Sequence, residues 1–418
     1  MDLIQKDKVA QLHIFRAIAA IGVVLTHARF ILWSGGEAYV AKFPVQNWSL
    51  AEYPLFFSDL ITSLGSQRVY LFFILSGFFA QYSIRNEFSL PDYLRKRLLR
   101  LYPAYIAATI LAGIVLYISF NYINSNIYTE GVREYNSRLV GGYQDISLGS
   151  FLHSLSFTKS GEYFGLNAQY WSLKQEMFFC LLFPLYNLLS IRNQLGLLGL
   201  CVALVLATGN VIFFYQSFFL VGMMLYKGFE RGLRIPAALP TWLYGTAVVS
   251  LYMGIYLLSK RGHNYPASLL TVALAFLALE FLLTRTVRVP RAVTWFSEVS
   301  YSVYLNHMWG LLLFYAVLSR ISGDLIFYSR WPYYTGAILA IICSLPSYYF
   351  VEKPIVAYMH RLRRSGASRV ASVPLVVPLA MPRLWPLQVL ISIRKAPQLL
   401  MANRLAPASL LPQKLAGK

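Results

Sequence analysis

Long apolar runs, interrupted by short polar or basic stretches, dominate the sequence. A membrane-crossing helix needs about 20 predominantly apolar residues. Windows of that length pick out ten segments, approximately 13–33, 67–84, 101–123, 171–190, 195–209, 211–228, 237–258, 265–284, 298–319 and 332–351. The fifth and sixth are separated only by Thr208, Gly209 and Asn210, and read equally well as one bent element. The pattern predicts an all-α polytopic membrane protein with about ten transmembrane helices.

Composition supports the same solvent. Hydrophobic residues make up 57% of the chain, charged residues only 13%, and the mean hydropathy is +0.53. That is too much apolar length for one water-soluble core. The net charge of +20 would point to nucleic acid in a soluble chain. Here the bases sit mainly in alternate loops: Lys6 and Lys8; Arg85, Arg95, Lys96, Arg97 and Arg100; Arg192; Lys227, Arg231 and Arg234; Arg285, Arg288 and Arg291; Arg361, Arg363 and Arg364. The positive-inside rule then places both termini in the cytoplasm, and no nucleic-acid partner is expected. Residues 34–66 and 124–170 become the two long external segments, where an acceptor has room to dock. Cys180, Cys201 and Cys343 lie in apolar runs without a CxxC spacing, so they read as small core residues, with no metal site expected. No cleavable signal peptide is expected at the start. Residues 356–418 lack acids and are rich in Pro, Leu and Arg, which suits a basic, membrane-hugging cytoplasmic tail without a fold of its own.

Charged and titratable groups inside spans are costly, which makes each a functional candidate. Arg16 and His27 are 11 residues apart in the first span, so on a helix they share a face, separated by ~16 Å of rise. Arg97 and Arg100 are one turn apart at a cytoplasmic helix start, with Pro103 suited to the first turn of the third span. Trp171 and Ser172 open the fourth span, and Glu176 lies one turn below Ser172 on the same face. Ser76 and Gly77 break the second span; Ser300, Ser302, Tyr304, Asn306 and His307 break the ninth. Each has a plainer reading: an interhelical hydrogen bond for either histidine, topological charge for the arginines, close helix packing for Ser76–Gly77. Glu280 has no assigned role. Ordered by depth, the candidates form a column. Arg16, Arg97 and Arg100 lie on the cytoplasmic side, Ser76 and His307 near the middle, and His27 with Glu176 in the outer half. Such a column would grip a polyanion at one end and perform acid–base chemistry at the other, with Glu176 orienting His27.

These motifs, in this order, resemble the acyltransferase family 3 membrane proteins, bacterial O-acyltransferases of surface carbohydrates. The resemblance rests on Arg16 to His27, on Ser76–Gly77–Phe78, on Arg97, Arg100 and Pro103, on Trp171 to Glu176, on Ser300 to His307, and on Val351 to Pro354. It runs over roughly residues 10–355, within an expected membrane domain of residues 1–355, and implies acyl-CoA, usually acetyl-CoA, as a cytoplasmic co-substrate rather than a tightly bound cofactor. It implies His27 as catalytic residue with Glu176 in support, and Arg16, Arg97 and Arg100 as contacts for the CoA phosphates. Ser76, Gly77, Trp171, Ser172, Ser302, Tyr304 and His307 would line the cavity. The expected partners are membrane lipid, a carbohydrate acceptor that is free or lipid-linked, and polysaccharide assembly proteins, in the inner membrane of a bacterium. One departure is His13, where family members often carry Asp three residues before the arginine, which puts a salt bridge there in doubt. The rival class is a proton-coupled transporter of an anionic solute, since intramembrane His and Glu also build proton relays. No internal repeat of the transporter kind is visible.

Overall fold

The computed structural model describes residues 6–84, 88–159, 161–235 and 240–364. Among these residues every regular element is helical. The long helices are α1 (Lys6–Leu32), α2 (Gly65–Ser83), α3 (Leu90–Ile118), α4 (Tyr170–Leu188), α5 (Ile191–Thr208), α6 (Val211–Glu230), α7 (Thr241–Lys260), α8 (Asn264–Thr284), α9 (Arg291–Ser322) and α10 (Trp331–Ser347). Each covers one of the expected segments. Eight are long and apolar enough to cross a membrane; α2 and α4 are not among them. Both are 19 residues long, and their apolar character is diluted by Gln67, Arg68, Ser76 and Gln81 in one, and by Ser172, Lys174, Gln175 and Glu176 in the other. The two helices that fall short of membrane-spanning character are thus the ones that carry Ser76 and Glu176.

α5 and α6 are two helices, not one bent element. Gly209 adopts a left-handed conformation (φ 66°) that ends α5, and the Asn210 side chain accepts the Ile212 N–H (3.0 Å) to start α6. α3 also departs from expectation. It runs unbroken from Leu90, with Pro91 in its first turn, so Pro103 lies inside the helix and Arg97, Arg100 and the apolar run share one rod. Past α10 a short π-helical turn (Tyr348–Glu352) leads into a helix at Lys353–Arg364. Structure therefore extends beyond residue 355, the expected end of the membrane unit. The remainder of the expected tail, 365–418, lies outside the described residues.

Among the eight helices long and apolar enough to cross a membrane, α9 is the most enclosed, with 72% of its apolar stretch buried, against 11% for α7. α1 lies between two hydrophobic clusters. One gathers residues of α2, α4, α6 and α8; the other gathers α9, α10 and the segments outside the helices. α2 and α6 approach so closely that a Cβ on Gly77 would sit 2.1 Å from the Phe219 carbonyl oxygen, and one on Gly222 2.0 Å from that of Ile74. Small residues at such a crossing let helix backbones pack where no water drives association. Gly77 therefore serves the close packing of α2 on α6.

Segments outside the long helices hold the end of α1 and the start of α10. Arg133 donates to the carbonyls of Phe30 (2.5 Å), Ile31 (2.9 Å) and Trp33 (2.8 Å), satisfying acceptors that a helix C-terminus leaves open. Asp59, fully buried, accepts from Arg330 Nε (2.7 Å) and from the Tyr333 hydroxyl, while Arg330 also donates to Glu52 (2.9 Å).

Candidate functional site

His27 and His307 lie 280 residues apart in sequence and meet across the α1–α9 crossing. Nδ1 of His27 is 2.8 Å from Nε2 of His307, and Nδ1 of His307 is 3.0 Å from the Val303 carbonyl. The proton assignment follows from the network. A carbonyl only accepts, so His307 carries its proton on Nδ1 and offers the Nε2 lone pair. His27 must then donate from Nδ1, which leaves its own Nε2 as an unprotonated base. His307 is 0% exposed, whereas His27 retains accessible surface. The pair has the logic of an oriented base: one imidazole fixes the tautomer of the other.

This replaces the expected pairing of His27 with Glu176. Glu176 instead accepts from the Ser76 hydroxyl (3.1 Å), joining α4 to α2. It lies within electrostatic reach of Arg16 and Arg97. Its charge belongs with the arginines. Trp171, five residues earlier, packs against Tyr215 and Phe73. Ser172 hydrogen-bonds the Tyr304 hydroxyl, and Tyr304 and Ser172 both reach the Gln169 carbonyl (3.0 and 2.9 Å), so this trio ties the start of α4 to α9 beside His307.

Arg16 lies within electrostatic reach of Arg97 and Arg100, and of Glu176 and Glu352. Yet among the described residues none of the three makes an ion pair within 4 Å of a carboxylate. Arg97 rests over the Tyr93 ring at 5.5 Å. Three guanidinium groups gathered without a close counter-ion are costly unless an anion joins them, and their planar forks suit phosphate. His13, at the position of the family's aspartate, bonds Ser297 Oγ (3.0 Å) and takes no part in the cluster as an anion.

Ser302, expected to line the cavity, is fully buried and turned to a different task. Its N–H (3.1 Å) and hydroxyl (2.5 Å) both donate to Glu352, a carboxylate that sequence reasoning did not single out although it lies in the last motif. Sequence reasoning missed Arg68 as well. It donates to the Gly22 carbonyl (3.1 Å), the Thr26 hydroxyl (2.9 Å), the Thr62 and Ile61 carbonyls and the Tyr252 hydroxyl, and so holds the residue next to His27. Its signal was there to be read: an arginine inside an apolar run. Glu280, without a role in the sequence pattern, accepts from the Tyr244 hydroxyl (2.6 Å) between α8 and α7.

Among known proteins, residues 9–349 match the model of the acyltransferase domain family. A 160-residue stretch is 29% identical to the acyltransferase MdmB of Streptomyces mycarofaciens, covering 38% of each chain. The chain thus spans well under half the length of that curated relative. No solved structure matches it. The family match runs through both histidines, the three arginines and Glu176, and on that span the chain belongs to acyltransferase family 3.

Proposed function

We propose that this protein is a multi-pass membrane O-acyltransferase that moves an acyl group, acetyl foremost, from cytoplasmic acyl-CoA to a hydroxyl of an extracytoplasmic or lipid-linked carbohydrate. In this reading all ten long helices cross the inner membrane of a bacterium with both termini cytoplasmic. The observation that carries the proposal is the pairing of an oriented, unprotonated imidazole nitrogen on α1 with a cluster of unpaired arginines on the same helix and on α3. The ~16 Å rise from Arg16 to His27 matches the need to hold phosphates at one end and a thioester at the other.

Chemically, Nε2 of His27 removes the proton of the acceptor hydroxyl as its oxygen attacks the thioester carbonyl. His307 keeps its hydrogen bond to His27 Nδ1 throughout and spreads the positive charge that forms on the ring. Collapse of the tetrahedral adduct breaks the C–S bond, and the proton held by His27 leaves with the CoA sulfur. An ester and free CoA result, with His27 returned to its starting state.

The test is CoA release from acetyl-CoA in inside-out vesicles of the native host, wild type beside His27→Ala, with label followed into lipid-linked and polysaccharide fractions. Release that depends on His27, with label on carbohydrate, is the expected result. A well-inserted protein that releases no CoA from any of several acyl donors, yet moves an anionic solute unchanged, would replace the proposal with proton-coupled transport.

A further inference from the structure

From the arrangement around Glu352 we infer that Ser302 acts as a tether that holds this carboxylate back from the arginine cluster, keeping the guanidinium groups free for an incoming polyanion. The inference rests on the proposed role of acyl-CoA as donor. Glu352 is only 4% exposed and lies within electrostatic reach of Arg16 and Arg100. In a buried setting a carboxylate so placed should close onto the guanidinium groups as a salt bridge. It does not: neither arginine approaches it within 4 Å, and the same oxygen, Oε2, takes both the N–H and the hydroxyl of Ser302.

The backbone explains how this is arranged. Glu352 ends the five-residue π-helical turn Tyr348–Glu352, which follows Pro346 at the end of α10. A π turn inserts an extra residue into the helical register and re-aims the side chains after it. On the other side, the Ser302 N–H belongs to the middle of α9, so its bond to Glu352 is supplementary to the helix ladder. Ser302 O in turn accepts from Asn306 (2.7 Å), which fixes the local backbone. Two donors on one oxygen are what is needed to outcompete a charged rival. Without them Glu352 becomes an internal competitor for the sites where donor phosphates bind.

The tether makes opposite forecasts for its two halves. Ser302→Ala frees Glu352 to pair with Arg16 and Arg100 and should weaken CoA binding. Glu352→Gln removes the competing charge while its amide oxygen still accepts from Ser302. It should bind CoA about three- to ten-fold more tightly than wild type, the effect of a single charge at this range. In the Ser302→Ala, Glu352→Gln double variant the loss should disappear.

The experiment is equilibrium binding of radiolabelled CoA to purified full-length protein in nanodiscs, at two salt concentrations, for wild type and the three variants. Expected is weakened binding in Ser302→Ala, tighter binding in Glu352→Gln, and recovery in the double variant. If wild type binds CoA but Ser302→Ala binds as well, or if Glu352→Gln binds more weakly, the tether is refuted and Glu352 is merely structural. If Ser302→Ala does not fold, Glu352→Gln alone decides by the same sign. If wild type binds no CoA, the donor reading itself fails, which is a different outcome from failure of the tether.

Discussion

Replacing His307 isolates the contribution of the oriented tautomer. In His307→Ala the Nδ1–H of His27 loses its acceptor at 2.8 Å inside the bundle, and the ring is free to adopt the tautomer that presents a donor rather than a base. Losing one buried orienting hydrogen bond costs about 1–3 kcal/mol. Charged wholly to the transition state, this is about a five- to 150-fold fall in kcat, at 1.36 kcal/mol per factor of ten. His307→Gln places an amide oxygen near the position of Nε2 and should recover most of that loss. His307 belongs to α9, apart from the arginines, so KM for the acyl-CoA should stay within about two-fold if binding there is unaffected. The assay is CoA release by purified protein in nanodiscs, with kcat and KM separated for wild type, His307→Ala and His307→Gln. A folded His307→Ala protein with wild-type kcat, or one whose deficit lies in KM, would refute the assignment of His307 as the partner that sets His27.

Other perturbations test other parts of the structure. Gly77→Ala or Gly222→Ala should lower the detergent Tm, because the new Cβ meets a backbone carbonyl at 2.1 or 2.0 Å that cannot swing aside, an overpacking cost of about 1–3 kcal/mol or more; an unchanged Tm would show that the α2–α6 contact is looser than those distances require. Arg330→Ala strips Asp59 of its cation at 0% exposure and should destabilise the protein by about 3–5 kcal/mol, with Asp59→Asn restoring part of the loss in thermal unfolding. Joint Arg97→Ala and Arg100→Ala should raise KM for acyl-CoA more than the corresponding lysine changes do, since lysine keeps charge but not the fork; an unchanged KM would return these bases to a purely topological role.

Apolar length disclosed the ten long helices because eight of them meet the length and hydropathy that a bilayer imposes, and the two that fall short are still apolar runs of 19 residues. The partners within the bundle were less accessible. Arg16 and His27 share a helix, so their common face followed from rise and turn alone. The meeting of His27 with His307 depends on how α1 crosses α9, which no local pattern encodes. Glu176 illustrates the resulting error: depth along a helix placed it near His27, but the crossing of α2 and α4 gave it to Ser76. Ser302 was identified as polar in an apolar helix, yet its partner Glu352 reaches it only because the π turn after Pro346 shifts the register. Gly209 and Asn210 held enough information to separate α5 from α6, since a left-handed glycine followed by an asparagine cap is a stop and a start in adjacent positions.

The grip of Arg133 on the last carbonyls of α1 bears on protein engineering. Under the proposed function, the 124–169 segment is a natural one to exchange between relatives for a new acceptor range, although Ile127, Tyr135 and Leu139 pack into the core beside α1 and α9. In this protein the same segment supplies the cap on the helix that carries His27. Under that function, a chimera that discards the arginine at position 133 loosens the end of the helix that carries His27 together with the specificity it set out to change. Graft boundaries should therefore fall after residue 133, so that the recipient keeps its own cap and imports only the residues C-terminal to it.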